Sequence, residues 1–276
     1  IGLTAHSGVI QYHTFVGQHW YGKLGVEIND GQVAEKALAH FETAFSLGLA
    51  QPVFLRTQMA SIYLVQGRME DAKEQLVAIL KKDNENIKAR YRLAILERKA
   101  GNPSASQTHF ENVVKEDAED PEEYFMKSAA YVELAKAEQQ NGNTDMALEY
   151  LISATEQNTT NSEAFLAIGQ HYFRSGNMEL AITNLERSLE IEPNSPVVHN
   201  NLGAIYARSG KPDKAIVHFE KLSEFQPNNT QVFYNLGMIQ MRLGQTDNAQ
   251  KNLRKALSID PDYNLAAQAL AQLENK

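Results

Sequence analysis

Three arginines recur at a constant interval in the second half of the chain: Arg174, Arg208 and Arg242 lie 34 residues apart, each two residues before a glycine. A guanidinium group is always charged and offers a planar fork of N–H donors, which suits it to carboxylates and phosphates. A row of such groups predicts contact with one elongated, negatively charged partner. A basic residue in the last turn of a helix also gains ~0.3–1 kcal/mol from the helix dipole without any ligand. This second interpretation stays open.

Amide and apolar side chains recur in the same phase as these arginines. Asn201 and Asn235 are also 34 residues apart, and an amide, which both donates and accepts hydrogen bonds, suits the main chain of an extended peptide. Four apolar residues predict a pocket for apolar side chains, although such residues also pack between neighbouring helices: Phe173, Tyr234, Met238 and Met241. An earlier stripe of bases, Lys88, Arg92 and Lys99, follows one face of a predicted helix.

The elements that position these residues are pairs of helices repeated every 34 residues. In one clear copy, a first helix presents its apolar and small residues on one face, Gly176 ends it, and a second helix runs on to Pro193. Small residues such as Gly169 and Ala181 let the two helices approach closely. Repeats of this kind begin at Val53, Ile87, Ser128, Ser162, Pro196 and Thr230, and a degenerate one begins near Gln18.

Seven extra residues, PEEYFMK at 121–127, interrupt the period and predict a longer first helix over 121–141. The preceding acidic run, EDAEDPEE at 116–123, is typical of a helix start, and a bend between two arms of the repeat array is the other interpretation. Asp120 and Ser195, each followed by proline, are predicted helix N-caps.

A helix-turn-helix of 34 residues with this order of small and large side chains resembles the tetratricopeptide repeat family. The resemblance implies an all-α fold, a right-handed superhelical α-solenoid of about seven repeats closed by a C-terminal capping helix. It divides the chain into an N-terminal segment at 1–17, a three-repeat array at 18–120, the insertion at 121–127, a four-repeat array at 128–263 and the capping helix at 264–276.

In tetratricopeptide proteins, positions 2, 5, 6, 9, 12 and 13 of each repeat line a concave groove, and the resemblance implies the same ligand surface here. These positions carry nine bases and three acids, although the whole chain has 26 Lys and Arg against 34 acids, so an acidic partner is predicted. No three consecutive repeats match the carboxylate clamp of chaperone-binding members. The predicted peptide-binding residues are Lys88, Arg92, Lys99, Phe173, Arg174, Asn201, Arg208, Tyr234, Asn235, Met238, Met241 and Arg242.

Composition excludes several classes of function. The formal charge of −8 argues against binding to nucleic acid. No apolar run is long enough to form a membrane-spanning helix. There is no cysteine for a disulfide, a thiolate metal site or a nucleophile. No catalytic or phosphate-binding motif occurs, and His6, His13 and His19 lack the carboxylates or thiolates of a metal site. We therefore expect no enzyme activity, no cofactor and no metal.

The sequence predicts a non-catalytic scaffold or adaptor that binds an extended, acidic protein segment in its groove. A second interpretation, motivated by the start at Ile1, is a recognition or assembly arm of a larger membrane-anchored protein, a glycosyltransferase or an export system, with a lean towards a bacterial extracytoplasmic (periplasmic) location. A third is a homo-oligomer formed through Phe15, Trp20 and Tyr21 of the first repeat.

Overall fold

The computed structural model describes residues 11, 16–18, 31–47 and 53–274, and in this part of the chain every regular element is an α helix. The helices α1 to α7 span Gly31–Ser46, Val53–Val65, Met69–Leu80, Ile87–Lys99, Pro103–Lys115, Pro121–Gln140 and Thr144–Gln157. The helices α8 to α14 span Ser162–Arg174, Met178–Ile191, Pro196–Arg208, Pro212–Phe225, Thr230–Arg242, Thr246–Ile259 and Asn264–Glu274. The predicted N-terminal segment and the aromatic surface of Phe15, Trp20 and Tyr21 lie outside the described residues.

Six of the first helices end where a glycine allows the chain to reverse. Gly176 follows α8 with a φ of +84°, a left-handed conformation that L side chains adopt only with strain, and five further glycines share it at the equivalent turns. Asparagines begin several helices: the side chain of Asn161 accepts a hydrogen bond from the Ala164 amide at 3.0 Å, and Asn86 caps α4 in the same way. Both signals are local, so the helix limits follow from the sequence.

The two predicted N-caps have different outcomes. The Asp120 carboxylate accepts a hydrogen bond from the Glu123 amide at 3.0 Å, so it caps α6 as predicted. Ser195 occupies the N-cap position of α10 with an extended backbone, as predicted, but its side chain makes no capping hydrogen bond. Pro196 at the first position has no N–H to satisfy, which already removes one free donor of this helix end.

The chain divides into two compact units, Ile1–Leu134 and Ala135–Lys276. In unit 1, the pairs α2–α3 and α4–α5 pack through fully buried aliphatic residues of both helices, such as Leu55, Leu76 and Leu93. The boundary falls inside α6, which has 20 residues where most first helices have 13. The predicted division at 121–127 stays a prediction.

In unit 2, the pairs α8–α9, α10–α11 and α12–α13 follow one another, and each helix packs against the next. The core includes side chains with at most 2% exposure, such as Leu185, Leu202 and Phe219. The last helix, α14, buries Ala266 and Ala269 against α13.

Close helix approach in unit 2 depends on glycines inside the first helices. A Cβ placed on Gly169 would lie 2.6 Å from Cγ of Leu185, and one placed on Gly237 would lie 2.8 Å from Cγ of Leu253. The leucine of each second helix therefore occupies the space that a larger residue of the first helix would need.

Candidate functional site

In unit 2, α8 contacts α10 and α12 contacts α14 in addition to their own partners, which is the arrangement expected of first helices in successive repeats. The exposed side of α8, α10 and α12 is called the first-helix face below. It carries Arg174, Arg208 and Arg242, each as the last residue of its helix. The fold thus aligns the three arginines along one edge of this face, and they are called the arginine row.

Two members of the arginine row are without partners in the structure. Arg174 and Arg242 are exposed, and neither has a hydrogen bond or an ion pair with any described residue. The guanidinium carbon of Arg208 lies 5.0 Å from the ring centroid of Phe173, one pair earlier, which is a cation–π contact. This contact orients Arg208 and leaves its N–H groups available to an anion.

The two predicted amides differ in their surroundings. The Nδ2 atom of Asn201 is buried and has no hydrogen-bond partner, which is unfavourable by about 1–3 kcal/mol for a buried donor. The Oδ1 atom of Asn235 accepts a hydrogen bond from Nε2 of Gln231 at 2.8 Å. Asn201 is therefore the amide with unused hydrogen-bonding capacity.

Of the four predicted apolar residues, three pack against the cores of unit 2. Tyr234 and Met238 pack against the cluster that α13 and α14 form, and the rings of Tyr234 and Tyr263 meet edge to face with centroids 5.4 Å apart. Phe173 packs partly against the core of unit 2 and carries Arg208 on its ring. Met241 is half-buried beside the arginine row.

The predicted basic stripe of unit 1 has acidic partners inside the chain. Nζ of Lys88 lies 2.5 Å from Oδ2 of Asp120 and 3.1 Å from Oε2 of Glu122, and Arg92 lies 3.4 Å from Glu122. The hydrogen bond with Asp120, and then that with Glu122, raise the pKa of Lys88 against the opposing effect of burial. Lys99 is exposed and has no partner among the described residues.

The ion pairs of Asp120 and Glu122 with Lys88 and Arg92 were not predicted from the sequence. The ion pairs join residues about one repeat apart, as also seen for Arg98 with Glu133 and for Lys136 with Glu163 at 2.8 Å. Opposite charges at this separation on successive first helices are the signal that predicts such pairs.

Sequence reasoning also missed a histidine pair in the interior of unit 2. The Nδ1 atoms of His199 and His218 are 3.0 Å apart, and Nε2 of His199 lies 3.2 Å from the carbonyl oxygen of Pro193. Because a carbonyl only accepts, Nε2 of His199 donates to it, and in neutral His199 Nδ1 then accepts from His218. The His218 ring stacks on the ring of Tyr206, whose hydroxyl donates a hydrogen bond to Glu186. Nζ of Lys214 lies 5.1 Å from the centroid of the Tyr206 ring.

This arrangement predicts acid sensitivity of unit 2. Burial, and then His199, lower the pKa of His218 from 6.5 to about 4. Between these pH values the unfolded chain binds a proton that the folded chain does not, so the free energy of unfolding falls as the pH drops from 6.5 towards 4. We expect a loss of about 2 kcal/mol in urea titrations at the lower pH, measured by circular dichroism.

The matched variants are His218→Gln and His171→Gln. His218→Gln removes the group that gains the proton, so its loss of stability on acidification is expected to be smaller than in the unchanged chain. His171 lies in α8 outside the pair, and His171→Gln should keep the full loss. Equal losses in the two variants would show that the histidine pair does not cause the acid sensitivity.

Among the described residues, no group of three or more histidine, aspartate or glutamate side chains is placed to hold a metal ion. None of the described helices is both long and apolar enough to cross a membrane.

The comparisons with known proteins agree with this architecture. The family described as the second ARM domain of tetratricopeptide repeat protein 21 matches residues 26–274. No curated protein matches the chain significantly.

Solved structures of tetratricopeptide repeat proteins share the fold. The C-terminal part of one from Cytophaga hutchinsonii is 16% identical, covers 95% of this chain and 99% of its own, and has a TM-score of 0.65. YrrB, described as a TPR protein with an unusual peptide-binding site, is 21% identical, covers 70% of this chain and 96% of its own, and has a TM-score of 0.57. One from Parabacteroides merdae is 18% identical, covers 96% and 100%, and has a TM-score of 0.55.

The predicted all-α solenoid of tetratricopeptide repeats is therefore confirmed. Its type of fold is that of a protein-interaction scaffold, and such scaffolds are generally non-catalytic. The chain belongs to the tetratricopeptide repeat family, in the group described as the second ARM domain of tetratricopeptide repeat protein 21.

Proposed function

We propose that the chain is a protein-interaction scaffold in which the first-helix face of unit 2 binds an extended, acidic segment of a partner protein. The observation that carries this proposal is the arginine row, because Arg174 and Arg242 are exposed and unpaired on either side of Arg208. A helix dipole explains one cation at a helix end, but it does not require arginine in three successive pairs.

The spacing of the row specifies the partner further. Packed helices lie about 8–10 Å apart, so neighbouring arginines are separated by roughly that distance across the face. An extended chain advances about 3.3 Å per residue, and every third residue therefore advances by roughly one helix spacing. The preferred ligand carries a carboxylate at every third position.

Other residues of the face support the same ligand. Asn201 has an unpaired amide, and turning this group over presents either its donor or its acceptor to the main chain of a peptide. Phe173 and Met241 supply apolar contacts beside the arginines. Lys88 and Arg92 contribute less to an acidic partner, because Asp120 and Glu122 already neutralise them.

A relative by fold supports a peptide ligand for such a layer. YrrB, which shares the repeat fold, is described as having an unusual peptide-binding site. An array of these helix pairs can therefore contain a peptide-binding site, and here the positive charge of the arginine row favours an acidic peptide.

The test is binding of three synthetic peptides of equal length, followed by isothermal titration calorimetry. The first peptide has aspartate at its first, fourth and seventh positions, the second has the same three aspartates side by side, and the third has lysine at the spaced positions. We expect the spaced acidic peptide to bind roughly tenfold more tightly than the clustered one, with weaker binding at higher salt.

Two results would contradict the proposal. Equal affinity for the spaced and clustered peptides would show that the spacing of the arginines does not select the spacing of the carboxylates in the ligand. Tighter binding of the lysine peptide to this face would show that the partner segment is not negatively charged, contrary to the proposal.

A further inference from the structure

The first two turns of α6 carry an exposed aromatic pair. Phe125 is 59% exposed and Tyr124 is 45% exposed, and among the described residues the one other exposed large aromatic side chain is Phe54, at 46%. Both residues belong to the seven that have no counterpart in the other repeats. The packing of the repeats therefore does not require them.

The two rings lie on a side of α6 that the described residues of unit 1 leave exposed. At 100° per residue, Tyr124 and Phe125 fall on either side of Pro121, which is also exposed. The next two residues, Met126 and Lys127, are buried. The helix thus has a packed side and, opposite to it, an apolar surface in contact with solvent.

Negative charge without basic partners among the described residues precedes this surface in the chain. Asp117 and Glu119 are exposed, and their carboxylates form no ion pair with any described residue. The Glu123 carboxylate accepts a hydrogen bond from the Glu119 amide at 2.9 Å but has no basic partner. Asp120 and Glu122 are compensated by the bases of α4, so the uncompensated charge of Asp117 and Glu119 lies in the segment just before the helix that carries the rings.

We propose that these residues form a second docking surface, which binds a basic segment of a partner protein and seats an arginine or lysine side chain on the two rings. The aromatic patch is defined as Pro121, Tyr124 and Phe125 together with Asp117 and Glu119. A cation over an aromatic ring gains from the ring quadrupole, and nearby carboxylates attract the same cation. Exposed aromatic side chains are also the residues that most often anchor protein interfaces.

This surface is independent of the arginine row and has the opposite charge preference. It lies in unit 1, whereas the arginine row lies in unit 2. With both surfaces in use, the chain binds an acidic segment at one place and a basic segment at another, which is what a scaffold needs in order to bring two different partners together.

The experiment uses the full chain and a fluorescent peptide of alternating arginine and leucine, with a glutamate and leucine peptide for comparison, and measures fluorescence anisotropy. The main variant is Tyr124→Ala with Phe125→Ala. The second is Asp117→Asn with Glu119→Gln, and the matched control is Phe54→Ala, which removes an exposed aromatic ring elsewhere in unit 1. Circular dichroism establishes that each variant keeps its helices.

We expect the aromatic double variant to bind the arginine peptide roughly tenfold more weakly. The charge-neutralised variant should bind it roughly threefold more weakly and with a flatter salt dependence. Phe54→Ala should stay within roughly twofold of the unchanged chain.

Three kinds of outcome would overturn the proposal. The first is full binding of the arginine peptide by the aromatic double variant, or no binding of that peptide by the unchanged chain. The second is equal or tighter binding of the glutamate peptide at the same patch. The third is a dimer in sedimentation velocity that the aromatic double variant dissolves, because the occupant would then be a second copy of the chain.

Discussion

Replacing Arg174, Arg208 and Arg242 together by glutamate is expected to abolish binding of the spaced acidic peptide, with a loss of roughly a hundredfold or more. Each substitution removes an attractive charge and adds a repulsive one, and the three sites lie on one face of unit 2. Exposed at helix ends, the side chains make few contacts with the core, so the fold should persist. Titration calorimetry measures the affinity, and circular dichroism measures the helix content.

A control with the same change of charge distinguishes direct contact with the arginine row from attraction by the net charge of unit 2. Lys211, Lys214 and Lys251 are also exposed in unit 2, but they lie on the second helices or just before them. Changing these three to glutamate should weaken binding by less than roughly threefold. If both triple variants lose affinity equally, the net charge of the unit governs binding and the arginine row has no special role.

Replacing Phe219 by alanine is expected to lower the free energy of unfolding of unit 2 by about 3–5 kcal/mol. The side chain is 2% exposed and belongs to the core between α10 and α12. Its loss leaves a cavity that the stiff helix pairs fill only in part. Urea titration followed by circular dichroism gives the change in stability.

A second substitution identifies the contact that this residue makes. A Cβ on Gly203 would lie 3.0 Å from Cε2 and Cζ of Phe219, so Gly203→Ala should destabilise the unchanged chain. In the Phe219→Ala background the ring is absent, and the same change should stabilise by up to about 1 kcal/mol through helix propensity. If Gly203→Ala changes the free energy of unfolding in the same direction in both backgrounds, the Phe219 ring is not the reason that position 203 requires glycine.

The sequence predicts the fold well because its signals are local. The glycines that end the first helices, the asparagines at several helix starts and the small residues of the first helices act within one pair, so one chain suffices to find the period. Pro121 begins α6 and Gln140 ends it, close to the predicted 121–141. Ser195 takes the predicted N-cap position of α10, but the sequence does not show whether its hydroxyl forms the capping hydrogen bond, which depends on the rotamer.

The candidate site is predicted less completely, since partners of surface charges lie about one repeat away. Lys88 and Arg92 have the residue types of a ligand surface, but their carboxylate partners are recognised only once α4 and α6 are placed side by side. The same holds for Tyr234 and Met238, which resemble a pocket until α14 is seen to pack on them. Arg174 and Arg242 remain available because neighbouring first helices bring no acid to them.

The succession of helices within unit 2 has a consequence for folding. Because each helix touches the next or the one after it, contacts join residues that are near in sequence, and the contact order is low. Chains of this kind fold quickly and propagate structure from one pair to its neighbour, without a single obligatory nucleus. They also open from their ends, so α14 can fray while α8 to α11 stay closed. The row of arginines spans three pairs, and a ligand bound across it would couple these pairs into a more cooperative block.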